Sequence, residues 1–327
     1  MKAIWRFALR WWCVCTLAGL GTPLPAQTNP VSMVFVGDVM LANLPGQRIA
    51  KGHDPFAPFA AVLNASDIRI ANLECVISTV GKAQDKPFTF RAHPRTLPLL
   101  KQHFDLVSLA NNHTGDFGPV AFTQMLDYLQ ATGLPYVGGG RDLLQAHQPA
   151  VFERQGVKIA ILAYNEFLPR SFEADVDKPG SAWSDDEQVV FDIQQARTHY
   201  AADVVVTFMH WGIEDEPFAT SRQQALARRM IDAGADAVVG GHPHVTQNTE
   251  IYRGKPIVYS LGNFVFDTYS SLEHTTGWAL TLVADKNGVA SARIHEARID
   301  KYGTPHPQRR QALQCWQRGD TALSDCR

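Results

Sequence analysis

Ala235-Asp236-Ala237-Val238-Val239-Gly240-Gly241-His242-Pro243-His244 is a short apolar run that ends abruptly in two histidines. Its length and β-branched content read as a buried strand, so both histidines stand just past a strand end. Pro243 excludes helix at that point and favours an extended backbone. In an extended chain residues i and i+2 point to one side, which predicts that the two imidazoles project together. Imidazole is a common ligand for zinc, iron and manganese, and a solvated histidine pair on a loop is the alternative.

Four other runs end in the same way. Val31 to Val36 leads through Gly37 to Asp38, and residues 67–73 lead to Glu74. Residues 105–110 lead to Asn112 and His113, and residues 202–209 to His210-Trp211-Gly212. Taken singly, each is a polar residue at a strand end. Together they place metal-compatible side chains where open α/β sheets build their sites, outside the carboxyl ends of strands. The pattern points to a metal-dependent hydrolase.

Residues 56–65, 95–103, 119–132, 187–201 and 218–233 have helix-compatible patterns, and Val157 to Ala163 reads as a further strand. Strands alternating with helices favour an α/β fold. Residues 256–266, 277–284 and 289–299 contain no comparable helix and predict an antiparallel portion. Beyond about residue 300 the chain is rich in Pro, Gln and Arg and reads as a surface tail, residues 301–327.

Hydrophobic residues make up 45% of the 327-residue chain and charged residues 19%, enough for one large globular domain. A formal charge of −2, with no basic cluster interleaved with aromatics, argues against nucleic acid as a partner. No heptad run, internal repeat or low-complexity segment stands out.

Lys2, Arg6 and Arg10 precede an apolar stretch from Trp11 to Leu20, and Leu24-Pro25-Ala26 precedes Gln27. This reads as a secretory signal over residues 1–26, hence an exported protein, periplasmic or extracellular after cleavage. An uncleaved membrane anchor is the alternative, although the apolar stretch is shorter than the roughly 20 residues of a comfortable span. Cys13 and Cys15 fall within the signal, and Cys75 reads as a small buried residue. Cys315 and Cys326 bracket a short polar loop. An oxidising compartment would let them pair, and two unpaired thiols are the alternative.

The islands GDVML (37–41), ANLE (71–74), LANNHTGDFG (109–118), HWG (210–212), GADAVVGGHPHVTQ (234–247) and YSLGNFVFD (259–267) carry a resemblance. Over about residues 31–298 the chain resembles the bacterial CapA family. That family is the poly-γ-glutamate capsule-synthesis type of the calcineurin-like metallophosphoesterase superfamily. The resemblance implies a four-layer α/β/β/α sandwich over residues 27–300 and two neighbouring divalent cations, manganese, zinc or iron. Asp38 and His244 would serve the first cation, Glu74 would bridge, and Asn112, His210 and His242 would hold the second. His113 would stand near the leaving-group oxygen. Two cations roughly 3.5–4 Å apart clamp a phosphoryl group and acidify water.

The chain departs from the superfamily pattern at four places. Met40 stands where a histidine is usual, and Asn72-Leu73-Glu74 replaces the usual bridging aspartate. Thr114 and Gly115 separate His113 from Asp116, which either orients His113 or caps the following helix. Ala42-Asn43 replaces a Gly-Arg pair, so Asn43 is either an extra ligand or a turn residue. Arg91, Trp211 and Asn263 are candidates for substrate contact, each with a purely structural alternative. The expected function is an exported hydrolase of a phosphoester or related bond, linked to poly-γ-glutamate or another envelope polymer. Its implied partners are an anionic polymer or phosphoester substrate and membrane-bound capsule-synthesis proteins. The missing histidine at Met40 gives weight to a second expectation, a noncatalytic accessory protein that binds the polymer during assembly or export.

Overall fold

Strand Val31–Val39 is buried almost throughout because its successive side chains enter two different cores. Met33 and Phe35 pack with Ile159, Ile161, Val204, Val206 and Phe208, while Val34 and Val36 pack with Leu100, Phe104, Phe122 and Leu126. Side chains alternate across a strand, so a strand covered on both faces must be apolar at every position. Val204–His210 does the same from the other side: Val204, Val206 and Phe208 face the first core, and Val205 and Met209 face a third one with Val189, Ile193, Leu226 and Met230.

The computed structural model describes residues 29–167, 170, 172–267, 270–308 and 312–326. The signal expected over residues 1–26 lies outside the described residues. One sheet runs, edge to edge, through Ser324–Asp325, Gln314–Gln317, Gly288–Ile299, Thr276–Asp285, Val31–Val39, Ile68–Leu73, Leu106–Ser108 and Tyr136–Val137. The second runs through Thr249–Tyr252, Lys255–Val258, Ala237–Gly241, Val204–His210, Val157–Asn165 and Ala150–Arg154. The sheets pack face to face, with Phe35 and Phe208 in edge contact at 5.6 Å between ring centres. Helices Leu97–His103 and Gly118–Thr132 cover the outside of the first sheet, and Asp186–Thr198 and Ser221–Ala233 cover the outside of the second. The architecture is a four-layer α/β/β/α sandwich.

The central strands of each sheet are parallel. Val31–Val39 pairs in that sense with Ile68–Leu73, and that strand with Leu106–Ser108. Val204–His210 pairs likewise with Val157–Asn165 and with Ala237–Gly241. All these carboxyl ends therefore open on one rim. The antiparallel portion is present as Thr276–Asp285 against Val31–Val39 and Gly288–Ile299.

Three sequence expectations change. The 56–65 helix breaks into Ala57–Phe59 and Ala60–Leu63 around Pro58, and the last expected helix starts only at Ser221, where Thr220 and Gln223 form a reciprocal cap. The chain beyond residue 300 is not a surface tail. Pro305–Pro307 and Gln314–Gln317 both pair with Gly288–Ile299, and Trp316 is fully buried in the core between the sheets. Cys315 and Cys326 form a disulfide that ties the last turn to this edge. Composition missed this because one tryptophan anchors an otherwise polar segment. Cys75 is buried, and burial pushes its thiol up to about 12. Among the described residues no helix is long and apolar enough to cross a membrane.

Removing the Trp316 anchor distinguishes a docked strand from a tail. Trp316→Ala should cost about 3–5 kcal/mol in urea unfolding, as for a large aromatic deleted from a core; an unchanged midpoint would mean the segment lies loose.

Candidate metal centre

Gly37 is where the site begins. It is an extra residue in the pairing of Val31–Val39 with Ile68–Leu73, since Val36 opposes Ala71 and Asp38 opposes Asn72. A bulge re-aims the next side chain, here Asp38. Only glycine fits, because a Cβ at Gly37 would lie 1.8 Å from the Gly262 carbonyl oxygen. Asp38 turns into the rim, fully buried, and accepts from the Asn72 amide at 2.7 Å and from the His242 backbone N–H at 3.2 Å.

Around it the rim brings together Glu74, Asn112, His113, His210, His242 and His244. His210 Nε2 lies 2.8 Å from Asn112 Oδ1, 3.1 Å from His242 Nδ1 and 3.7 Å from Glu74 Oε1. His244 reaches Asp38 Oδ2 at 3.5 Å with Nδ1 and Glu74 Oε1 at 3.8 Å with Nε2. His113 Nε2 stands 3.9 Å from the same Glu74 oxygen. Asp38, Glu74 and His210 thus offer one candidate metal group. The imidazoles are walled by phenylalanines: Phe90 against His113 at 4.3 Å, Phe167 against His242 at 4.7 Å and Phe266 against His244 at 4.9 Å between ring centres.

The paired histidines get there by a different route from the one the sequence suggests. Neither is extended; His242 has φ +94° and His244 φ +58°, left-handed values that side-chain-bearing residues rarely adopt. Pro243 still excludes helix, but the convergence comes from a strained turn. Such outliers cost about 1–3 kcal/mol each and cluster at functional sites.

A ring of amides fixes the donors. Asn72 spans Asp38 and His210 Nδ1, the latter at 3.1 Å, and its own carbonyl accepts from Asn111 at 3.0 Å. Asn263 stands opposite Asp38 on the neighbouring strand, with Oδ1 2.8 Å from His244 Nδ1. That contact assigns the His244 Nδ1 proton to Asn263 and leaves Nε2 for a cation. Asn263 is therefore a buried positioning residue and not one that meets substrate. Asp116 lies 2.7 Å from His113 Nδ1 and accepts from the Phe90 N–H at 2.6 Å. It does not cap the helix at Phe117, and its contact with His113 is the one an orienting role would use.

Three other candidates sit elsewhere. Trp211 is fully buried in the outer core of the second sheet, its indole donating to the Tyr259 carbonyl at 2.9 Å. Arg91 is exposed, its guanidinium over the Phe117 ring at 4.3 Å. Asn43 is exposed at φ +45° and starts the helix Asn43–Ile49, a turn residue. Met40 belongs to the core under the first sheet, and its Sδ accepts from the Ala42 N–H at 3.2 Å.

Sequence reasoning missed Lys86 and Glu214. Lys86 pairs with Asp116 and donates to the Asn112 carbonyl at 2.8 Å, bracing both residues that flank the His113 turn. A Glu214 oxygen lies within 4.8 Å of ring nitrogens of both His242 and His244. Its position two residues beyond His210-Trp211-Gly212 was the available signal.

The donor set fits divalent cations. Among the described residues no N–H or hydroxyl donor reaches either oxygen of the fully buried Glu74, and His242 Nε2 is equally unpartnered. Burial, reinforced by Asp38, pushes the Glu74 carboxyl well up, and burial also raises Asp38. Burial and the neighbouring imidazoles hold His210 and His242 well below the usual histidine range; burial lowers His113 against the pull of Asp116. Neutral imidazole is the metal-binding form, and a cation here would reverse the displacement of the carboxylates.

Residues 32–268 match the family described as bacterial capsule synthesis protein PGA_cap. The chain belongs to that family. The chain is similar to the PGA biosynthesis protein CapA of Bacillus subtilis, 34% identical over 301 residues, covering 86% of this chain and 75% of that protein. A probable polyglutamine synthesis accessory protein of Mycobacterium tuberculosis is also 34% identical, over 250 residues, 71% of this chain and 65% of that one. Among solved structures, a 5′-nucleotidase precursor from Thermus thermophilus shares the fold at TM-score 0.53 and 13% identity, covering 85% of this chain and 56% of that one. This PGA_cap chain thus has the calcineurin-like metallophosphoesterase architecture.

Asp116→Ala would leave Lys86, His113 and the Phe90 N–H without their shared acceptor. It should destabilise by about 3–5 kcal/mol in denaturant melts, as when one partner of a buried pair is removed. A loss under about 1 kcal/mol would reduce the pair to a surface-like contact.

Proposed function

We propose that this PGA_cap protein is an exported, divalent-metal-dependent hydrolase of the CapA type. It acts on a phosphoester or a related bond in the making of poly-γ-glutamate or another capsule polymer. The observation that carries the reading is Glu74: a fully buried carboxyl with no N–H or hydroxyl donor on either oxygen among the described residues, facing His113, His210 and His244. Such a group fits a bridging ligand between two cations, one with Asp38 and His244 and the other with Asn112, His210 and His242. Bound there, divalent cations polarise a phosphoryl oxygen and acidify water.

The chain's own part begins with His113. Asp116 holds the proton on Nδ1, which leaves Nε2 turned toward Glu74 and the reacting centre. From there it can stabilise or protonate a leaving oxygen. Lys86 neutralises Asp116 and fixes the Asn112 backbone, so the ligand Asn112 and the proton carrier His113 are held by one ammonium group. Phe90, Phe167 and Phe266 keep water from the imidazole faces.

Export is supported by the basic-then-apolar segment of residues 1–26 and by the Cys315–Cys326 disulfide, which suits an oxidising compartment. The substrate or partner is then an anionic polymer or phosphoester outside the cytoplasm, met alongside membrane-bound synthesis proteins. A second reading, a polymer-binding accessory protein, is favoured by Met40, which removes a ligand from the first cation, and by the name of the mycobacterial relative.

Elemental analysis of protein purified without chelator tests the first reading. About two equivalents of metal, reduced in both His242→Ala and Asp38→Ala, are expected. His113→Ala should then lower phosphoester turnover by about 10²–10⁴ with folding intact. No bound metal after reconstitution with manganese, zinc or iron would overturn the hydrolase; polymer retention that survives His113→Ala, without turnover, would establish the accessory role.

A further inference from the structure

The cation assigned to Asp38, Glu74 and His244 is short of a protein donor. Met40 occupies the position from which the superfamily pattern supplies a histidine, and its side chain has turned into the core beneath the first sheet. The other cation has four donors, Glu74, Asn112, His210 and His242. An uneven pair of this kind leaves the first cation loosely held unless the chain provides a ligand from elsewhere.

Segment 211–215 is placed to do so. Gly212 has φ +90°, a left-handed turn that a side chain would both strain and drive into Gln223. The turn sends the chain back along the histidine pair, where two backbone bonds pin it: Trp211 N–H to the Gly241 carbonyl at 3.2 Å and Asp215 N–H to the Pro243 carbonyl at 3.0 Å. Asp215 itself sits at φ +68°, and its carboxylate takes the His274 imidazole at 2.5 Å. Glu214 is held between these anchors on the solvent side of the centre. One of its oxygens lies within 4.8 Å of a nitrogen of His242 and a nitrogen of His244, themselves that close to each other. An acidic side chain near a rim is common and proves nothing alone. Here it faces His242, a fully buried imidazole whose Nε2 has no hydrogen-bond partner among the described residues.

The geometry points to Glu214 as a metal ligand, supplying from the His210-Trp211-Gly212 turn a carboxylate at the side of the centre where His242 and His244 both present a ring nitrogen. The inference rests on the two-cation reading above and assigns it a residue. Glu214, His242 and His244 then make a set of one carboxylate and two imidazoles beside the Asp38, Glu74 and His210 group. Glu214 is also the exposed member of this set, so a cation it holds is the one that exchanges with solvent.

Calorimetric titration of metal-free full chain with Mn²⁺ alone tests this. Compare wild type with Glu214→Gln, Glu214→Asp and, as a charge control on the same loop, Glu216→Gln, each checked for an unchanged melting curve. The expected result is two binding events in wild type, with one weakened roughly tenfold or more in Glu214→Gln and neither altered in Glu216→Gln. Glu214→Asp keeps the carboxylate and should fall between. Two wild-type events that persist unchanged in Glu214→Gln, or that weaken equally in both loop variants, would overturn the assignment and leave the two-cation reading intact. No binding in wild type would overturn that reading, and this inference with it.

Discussion

Burying a carboxylate away from every N–H and hydroxyl donor is the constraint on which the rest of this structure turns. An unpaired charge in a protein interior costs several kcal/mol even after relaxation, and a protein normally avoids the situation by pairing or neutralising the group. Within its own chain the remedy open to Glu74 is neutralisation: burial, reinforced by Asp38, pushes its carboxyl well up, while burial holds His113 and His210 below the usual histidine range. A divalent cation bound beside it would instead favour the charged carboxylate. The surrounding detail follows from that need. Amides of Asn72, Asn111 and Asn263 orient donors without adding charge, and phenylalanines close over the rings without competing for the cation.

The fold meets the constraint by keeping strain and stability apart. Three apolar cores, one between the sheets and one under each helical layer, carry the stability. The irregular backbone gathers at the rim: the bulge at Gly37, the left-handed His242 and His244, and the turn at Gly212. Each turns a side chain out of its strand direction toward Glu74. Parallel pairing supplies the rest, since it brings the ends of six strands from two sheets to one edge without any long connection crossing it.

What could be read in the sequence divides along the same line. Strand ends were legible because a parallel strand buried on both faces must be apolar until it leaves the core, so Asp38, Glu74, His113, His210 and His242 mark where each run stops. Helix Gly118–Thr132 and its partners were legible by period. Backbone geometry was not: nothing local to His242-Pro243-His244 distinguishes an extended segment from a left-handed turn, which is set by the Asp38 carboxylate 204 residues away in sequence. Lys86 and Glu214 lay in polar loops whose partners are equally remote. Trp316 was hidden by the polarity of its neighbours, and the alternatives for Asp116 and Asn43 were separable only once the helix starts were known.

The two halves of the centre are unlike, and that asymmetry bears on what the protein can be. On the side of Asn112, His210 and His242 the two imidazoles are buried and the half-buried Asn112 amide meets His210, so each donor is oriented by a further hydrogen bond or packed ring. On the side of Asp38 and His244 the usual histidine has become Met40, a thioether committed to the core. The buried Glu74 and the Asp116–His113 pair braced by Lys86 favour the proposed hydrolase over the polymer-binding reading, because a surface that only gathers a polyanion gains nothing from a buried, oriented imidazole facing a buried carboxyl.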